Sequence, residues 1–242
     1  MPNRTFNLDE AAEYLHLAKR DVEKLALHRE IPCERQSGRV YFVRREVDAW
    51  ASQRILGLSK ARLETYHHDG AARVCHRLGR TQAMVAELLR PAALKPTLAS
   101  RTKAAVLRDM VALAERTELL YDPADLLNSL REREELCSTA LEHGVALLHP
   151  RHHDPYLASD SFIALGRTQP LPFGASDGQK TDLFFLVCCQ DDSIHLHVLA
   201  RLCLMCARTA MVEDLRAAPD AETMMAAVAL AERQAMAGRP AD

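Results

Sequence analysis

The chain has 242 residues, 48% of them hydrophobic and 26% charged, with a formal net charge of -2. That length suffices for a good core and two domains, and a charge so close to neutral excludes neither a nucleic acid nor a protein partner. No apolar run approaches the ~20 residues of a membrane span and the first residues lack the apolar stretch of a secretory signal, so the expectation is a cytoplasmic protein without membrane insertion.

Residues 6–50 predict two short amphipathic helices and a hairpin. Leu8, Ala12 and Leu15 share a face of the first helix, and Val22, Leu25 and Ala26 share a face of the second. Pro32 ends the second helix, since it disfavours helical geometry at Ile31. "CERQSGRVYFVRREVDAW" then reads as two strands around Ser37-Gly38 with a closing helix over Arg45 to Trp50. Trp50 is expected to close this small core. Residues 51–88 are polar and partly helical, with a break near Gly70. Leu56, Leu58, Leu63, Val74, Leu78, Met84 and Leu88 offer apolar surface there without a sustained heptad, which leaves a connector or a dimerisation element as readings.

From about residue 89 the period alternates between helix and strand. Ala104 to Leu120 predicts an amphipathic helix, and "DPADLLNSLRERE" another, opened by Asp122-Pro123. Strands are expected at Val145–Leu148, Ser161–Leu165 and Leu183–Cys189. The last, "LFFLVCC", is apolar on both faces and belongs inside a covered sheet. Helices follow at about Ile194–Cys206 and Glu222–Ala237. The expected domains are therefore 1–56, a connector 57–88, and 89–242. The fold class is α/β (α+β): a winged helix-turn-helix, a helical connector, and a mixed β-sheet flanked by helices.

The seven cysteines have no framework spacing, and Cys188, Cys189, Cys203 and Cys206 stand in apolar surroundings, as core-filling thiols do. Cys203-x-x-Cys206 reads as packing on a helix. "HPRHHD" gathers His149, His152, His153 and Asp154, but the spacing matches no strong zinc signature, so no metal and no cofactor is expected. His67, His68 and His76 read as surface residues.

"FNLDEAAEYLHLAKRDVEKLALHREIPCERQSGRVYFVRREVDAW" resembles the excisionase-type, MerR-like winged helix-turn-helix module over nearly its whole length. The resemblance implies double-stranded DNA as a partner, with Lys19, Arg20 and Lys24 facing it from the second helix and Arg35 and Arg39 from the wing. Acidic and basic residues nearly balance in this unit, so counterion release alone gives weak binding. A homodimer is therefore expected. A helix-turn-helix kept for protein contact is the competing reading.

His149 ends a short apolar run. A histidine at a strand tip, with an arginine and a second histidine brought from elsewhere, suits a phosphoryl carrier: neutral imidazole is nucleophilic near pH 7, and a guanidinium matches phosphate oxygens. "REELCSTALEHGVALLH", "PLPFGASDGQKTDLFFLV" and "HLHVLARL" resemble enzyme IIA of the fructose, mannitol and nitrogen-regulatory branches of the phosphotransferase system. The resemblance implies that His149 accepts a phosphoryl group from a phosphocarrier protein, that His195 is the second site histidine, and that Arg133 neutralises the phosphate. Family glycines are replaced by Ala140 and Glu142, the proline before the acceptor by Leu148, and the glycine after it by Pro150. Three readings follow: a DNA-binding regulator set by phosphorylation, a phosphoryl-relay component for a sugar permease, and a binding protein with a degenerate IIA domain.

Overall fold

A computed structural model describes residues 5–36, 38–67, 85–151, 156–190 and 192–237. Ser37 of the expected hairpin, the break expected near Gly70, His68, His76 and the His152-His153-Asp154 run lie outside the described residues, as do Val74, Leu78 and Met84.

The amino-terminal unit holds β1 (Thr5–Phe6), α1 (Leu8–Tyr14), α2 (Lys19–Leu27), β2 (Glu34–Gln36), β3 (Arg39–Val43) and α3 (Arg44–Leu56). Asn7 and Glu10 form a reciprocal capping box that starts α1. By contrast, Ala18 opens α2 with no side-chain hydrogen bond. The strands form an antiparallel sheet in the order β1-β3-β2. Gln36 pairs with Arg39, and Gly38 takes a φ of 78°, which a tight hairpin turn favours. Helix α3 runs six residues past Trp50, where sequence reading ended it. Val47, Ala51 and Ile55 recur every four residues and are buried, which carries the helix on to its cap at Gly57.

The chain continues through α4 (helical over residues 60–67), α5 (Val85–Leu88), β4 (Leu89–Lys95), α6 (Lys103–Glu115) and α7 (Pro123–Leu136). After a 3-10 turn at Glu142–Gly144 come β5 (Val145–Leu148), β6 (Phe162–Leu171), β7 (Thr181–Cys188), α8 (Asp192–Arg208), α9 (Met211–Ala217) and α10 (Ala221–Met236). The sheet order is β4-β6-β7-β5, with β6 and β7 antiparallel and the outer pairs parallel. Strand β7 lies inside the sheet and is buried throughout, as the "LFFLVCC" run predicts.

Strand β4 is not foreseen by periodicity. Pro91 interrupts it, which an edge strand with a register shift between Leu89 and Leu94 tolerates. Helix α6 stops at Glu115, short of the expected Leu120: Glu118 turns the chain with a φ of 59°, and Leu120 bridges to Ala158.

Alternate residues of the sheet serve two cores. Val145, Leu147, Ile163, Leu165, Leu183, Phe185 and Val187 join the α8, α9 and α10 side, while Ala146, Leu148, Phe162, Ala164, Phe184 and Leu186 join α6 and α7. The amino-terminal unit belongs to the first core. Its α3 packs against α8, and Val47, Ala51 and Ile55 share a continuous apolar cluster with Leu196, Leu199 and Cys203.

Candidate functional site

Strand β5 is buried on both faces, and the residue that follows it, His149, is only 1% exposed. Its Nδ1 lies 2.8 Å from the carbonyl oxygen of Leu147. That carbonyl only accepts, so Nδ1 carries the proton and Nε2 keeps its lone pair. The Nε2 atom in turn accepts from Arg133 Nε at 2.9 Å. Burial, the Arg133 charge and His195 together hold the His149 pKa well below its ordinary 6.5, so the ring is neutral.

Arg133 stands in the last turn of α7 and is buried. Its Nη1 donates to the Cys137 carbonyl at 2.9 Å and lies 3.2 Å from Cys137 Sγ. Its Nη2 is buried with no hydrogen-bond partner, and no carboxylate pairs with this guanidinium among the described residues. A buried cation with a spare donor next to a nucleophilic nitrogen is an arrangement suited to an oxyanion.

The adjacent Glu134 has a different task. It pairs with Lys103 at 2.7 Å and accepts from the Thr139 backbone N–H at 3.0 Å and from the Thr139 hydroxyl, tying down the loop after α7. Beyond His149, the Arg151 N–H donates to Ser129 Oγ at 2.9 Å, and Arg151 pairs with Glu132 at 3.1 Å. The segment after the histidine is thus fastened to α7, and the loop that follows α7 is fastened to the same helix.

His195 comes from the first turn of α8, its ring centroid 5.2 Å from that of His149 at an interplanar angle of 56°. Its Nε2 lies 3.5 Å from Ser52 Oγ of α3. The three residues expected from sequence, His149, Arg133 and His195, are therefore together, and Ser52 of the amino-terminal unit contacts His195.

A matching sequence model settles the family. The model for "phosphoenolpyruvate-dependent sugar phosphotransferase system, EIIA 2" covers residues 87–230, more than half of the chain. The chain belongs to this EIIA type 2 family. A helix-turn-helix domain model covers residues 5–55. The chain is 30% identical over 148 residues to a nitrogen regulatory protein of Bradyrhizobium diazoefficiens, covering 60% of this chain and 95% of that one. Among solved structures it is similar to nitrogen regulatory protein IIA-Ntr from Neisseria meningitidis, with a TM-score of 0.55 and 28% identity over 60% of this chain and 99% of that one. It shares the fold of Escherichia coli mannitol enzyme IIA, solved in complex with phosphorylated mannitol enzyme IIB, with a TM-score of 0.52 and 14% identity over 59% and 99% of the two chains.

Within the EIIA domain, two departures from the family pattern are absorbed by the fold. Leu148 is fully buried and pairs with Leu186 in the β5–β7 ladder. Glu142 is exposed in the turn before β5, at the opposite strand end from His149, so its charge stays away from the acceptor. His67, expected at the surface, is buried: it accepts from Arg201 Nε at 3.1 Å and stacks on His197 at 4.8 Å. Arg201 also pairs with Glu232 at 2.9 Å.

On the helix-turn-helix, Lys19, Arg20, Lys24, Arg35 and Arg39 are all exposed. Lys19 is tied to Asp9 at 2.7 Å, which raises its pKa and offsets its charge, and Lys24 stands 4.0 Å from Asp21. Trp50 is half-buried and donates to the Glu30 carbonyl. Cys203 is buried, and burial pushes the Cys206 thiol up to about 12, in keeping with packing. Among the described residues no group of His, Cys, Asp and Glu is placed to hold a metal, and no single helix is long and apolar enough to cross a membrane.

Sequence reading missed Cys137, Glu134 and Ser52. An arginine in the last helical turn, able to reach the capping carbonyl, is a signal for the first. Nothing local marks Ser52.

Proposed function

We propose that the chain is a DNA-binding regulator whose EIIA domain accepts a phosphoryl group on His149 from a phosphocarrier protein, coupling the state of the phosphotransferase system to transcription. The observation that carries this reading is the neutral His149, with Nε2 as its lone-pair nitrogen, beside a buried Arg133 with an unpartnered Nη2. Nε2 attacks the donor's phosphorus, the new N–P bond forms as the donor's N–P bond breaks, and the donor histidine keeps the electron pair. Arg133 releases Nε2 and turns its Nε–H and free Nη2–H to the phosphoryl oxygens, while Cys137 holds the rest of the guanidinium. The histidine gains about 1.5 to 2 negative charges, which alter its contacts with α8.

A second reading, a phosphoryl relay in which the helix-turn-helix serves assembly alone, draws support from the Lys19–Asp9 pair and from the core shared between the two units. Similarity to a mannitol enzyme IIA solved with its phosphorylated IIB partner fits it as well. The test is intact mass after incubation with phosphorylated phosphocarrier protein, for wild type and His149→Gln, followed by DNA binding of both forms. One added phosphoryl group that vanishes in the variant, with a phosphorylation-dependent change in DNA affinity, supports the regulator. Labelling without DNA binding in either form selects the relay, and an unlabelled wild type removes both.

A further inference from the structure

The contact between Ser52 and His195 joins two units whose sequences give no hint of a shared site. Ser52 is 2% exposed and His195 6% exposed, so bulk water has little access to either. Ser52 lies on the buried face of α3 with Val47, Asp48, Ala51 and Ile55, where an unpartnered hydroxyl is costly. Among the described residues, His195 Nε2 at 3.5 Å is the sole side-chain hydrogen-bond partner of that hydroxyl. The distance is at the long limit for a hydrogen bond, and the burial of both residues is what gives such a contact weight.

We infer that Ser52 is a positioning residue for the phosphoryl-transfer site, supplied by the helix-turn-helix unit, and that its contact with His195 links the state of His149 to that unit. The inference rests on the acceptor reading above. A phosphoryl group on His149 sets negative charge and acceptor oxygens beside the His195 ring, which stands 5.2 Å from it, and so favours a protonated His195. In the protonated ring both nitrogens donate, whereas in the neutral ring the tautomer decides whether Nε2 donates or accepts. A hydroxyl serves either state, because it can donate or accept. Ser52 can therefore keep its contact with Nε2 before and after transfer, whichever tautomer the neutral ring adopts. Helix α3 starts directly after β3 of the wing, so this residue stands on the frame of the helix-turn-helix itself. Linkage makes the effect reciprocal: whatever moves α3 on α8 changes the affinity of the site for the phosphoryl group.

The full-length protein is compared as wild type, Ser52→Ala and Ser52→Thr. Without any donor, the His195 ring is titrated by NMR. With phosphorylated phosphocarrier protein, the transfer rate is followed across the histidine titration range, and amide exchange in α3 is measured before and after labelling. Ser52→Ala shifts the His195 midpoint and the pH profile, changes the neutral-pH rate by about three- to tenfold, and abolishes the exchange response of α3, while Ser52→Thr restores all three. Titration and transfer in Ser52→Ala that superimpose on wild type overturn the positioning role, as does a defect that Ser52→Thr fails to restore. Unchanged exchange in labelled wild type overturns the link. A wild type that takes no label defeats the acceptor reading itself, and the NMR comparison still decides whether Ser52 holds His195.

Discussion

Two buried histidine-arginine clusters meet α8, and the partners of their arginines decide what each can do. In the first, Arg133 bonds to His149 and to a carbonyl and a thiol of Cys137, with Nη2 left over. In the second, Arg201 bonds to His67 and to the carboxylate of Glu232, which also accepts from the N–H groups of Val85 and Ala86 at 2.9 and 2.8 Å. His195 and His197, two residues apart on the same helix, belong one to each cluster. Burial and a nearby guanidinium depress both His149 and His197, the latter to about 2. Both histidines are thus kept neutral, and the guanidiniums beside them are held differently. A cation already paired with a carboxylate fastens elements together, whereas one held by neutral groups keeps its attraction for an incoming anion.

Exchanging the two arginines for glutamine separates these roles most sharply. Arg133→Gln is expected to lower phosphoryl transfer to His149 by about 10²- to 10³-fold, the usual consequence of losing a preorganised donor to developing charge. Arg201→Gln takes the guanidinium away from the buried Glu232 carboxylate and is expected to cost about 3–5 kcal/mol of stability, while transfer per folded molecule stays near wild type. Transfer kinetics and urea unfolding of both variants read out the contrast. Equal loss of transfer in both would mean that the free and the paired guanidinium do the same work.

The sequence makes the first cluster far more legible than the second, for physical reasons. His149 closes an apolar run too short for a helix, and Pro150 stops the strand, so a histidine at a strand tip is a local reading. Arg133 and His195 reach it only through tertiary packing, and resemblance to a family supplied them. His67, Arg201 and Glu232 occupy ordinary helical positions, and their meeting depends on how α4, α8 and α10 pack, which periodicity does not encode. Strand β4 was obscured by Pro91, because a proline is evidence against a strand except at an edge, and edge position is a property of the finished sheet. Ser52 was invisible for the same reason as Arg201: its partner belongs to the other unit.

The shared feature of the clusters gives the next effect in size. His197 has an ordinary pKa of 6.5 and a folded value of about 2, with burial as the main cause, followed by Arg201. The unfolded chain therefore binds a proton below pH ~6.5 that the folded chain refuses, and stability is lost as pH falls from there toward the folded value. His149 acts with the same sign. Each contributes a slope of about 1.4 kcal/mol per pH unit inside its window. Urea unfolding at a series of pH values above the carboxylate range should show stability declining with acid. His197→Gln and His149→Gln should each remove about one histidine's share of that slope. A slope unchanged by either substitution would show that these rings charge without opening the fold.

The smallest expected effect tests the distinction itself by converting one cluster into the other. Cys137 caps α7, and its carbonyl and Sγ both receive Arg133 Nη1. Cys137→Ala removes the thiol and keeps the carbonyl; because sulfur is a weak acceptor, transfer should fall by no more than about threefold. Cys137→Asp places a carboxylate within reach of the same guanidinium and makes Arg133 resemble Arg201. The new pair competes with the phosphoryl oxygens for the cation, so transfer should fall by about tenfold, equivalent to a single charge-assisted hydrogen bond, while thermal stability holds or rises. The comparison depends on the sign of the difference between these variants. If the aspartate variant transfers as fast as the alanine variant, an unpaired guanidinium is not what distinguishes the His149 cluster, and the neighbouring His195 and its contact with α3 would have to supply the distinction.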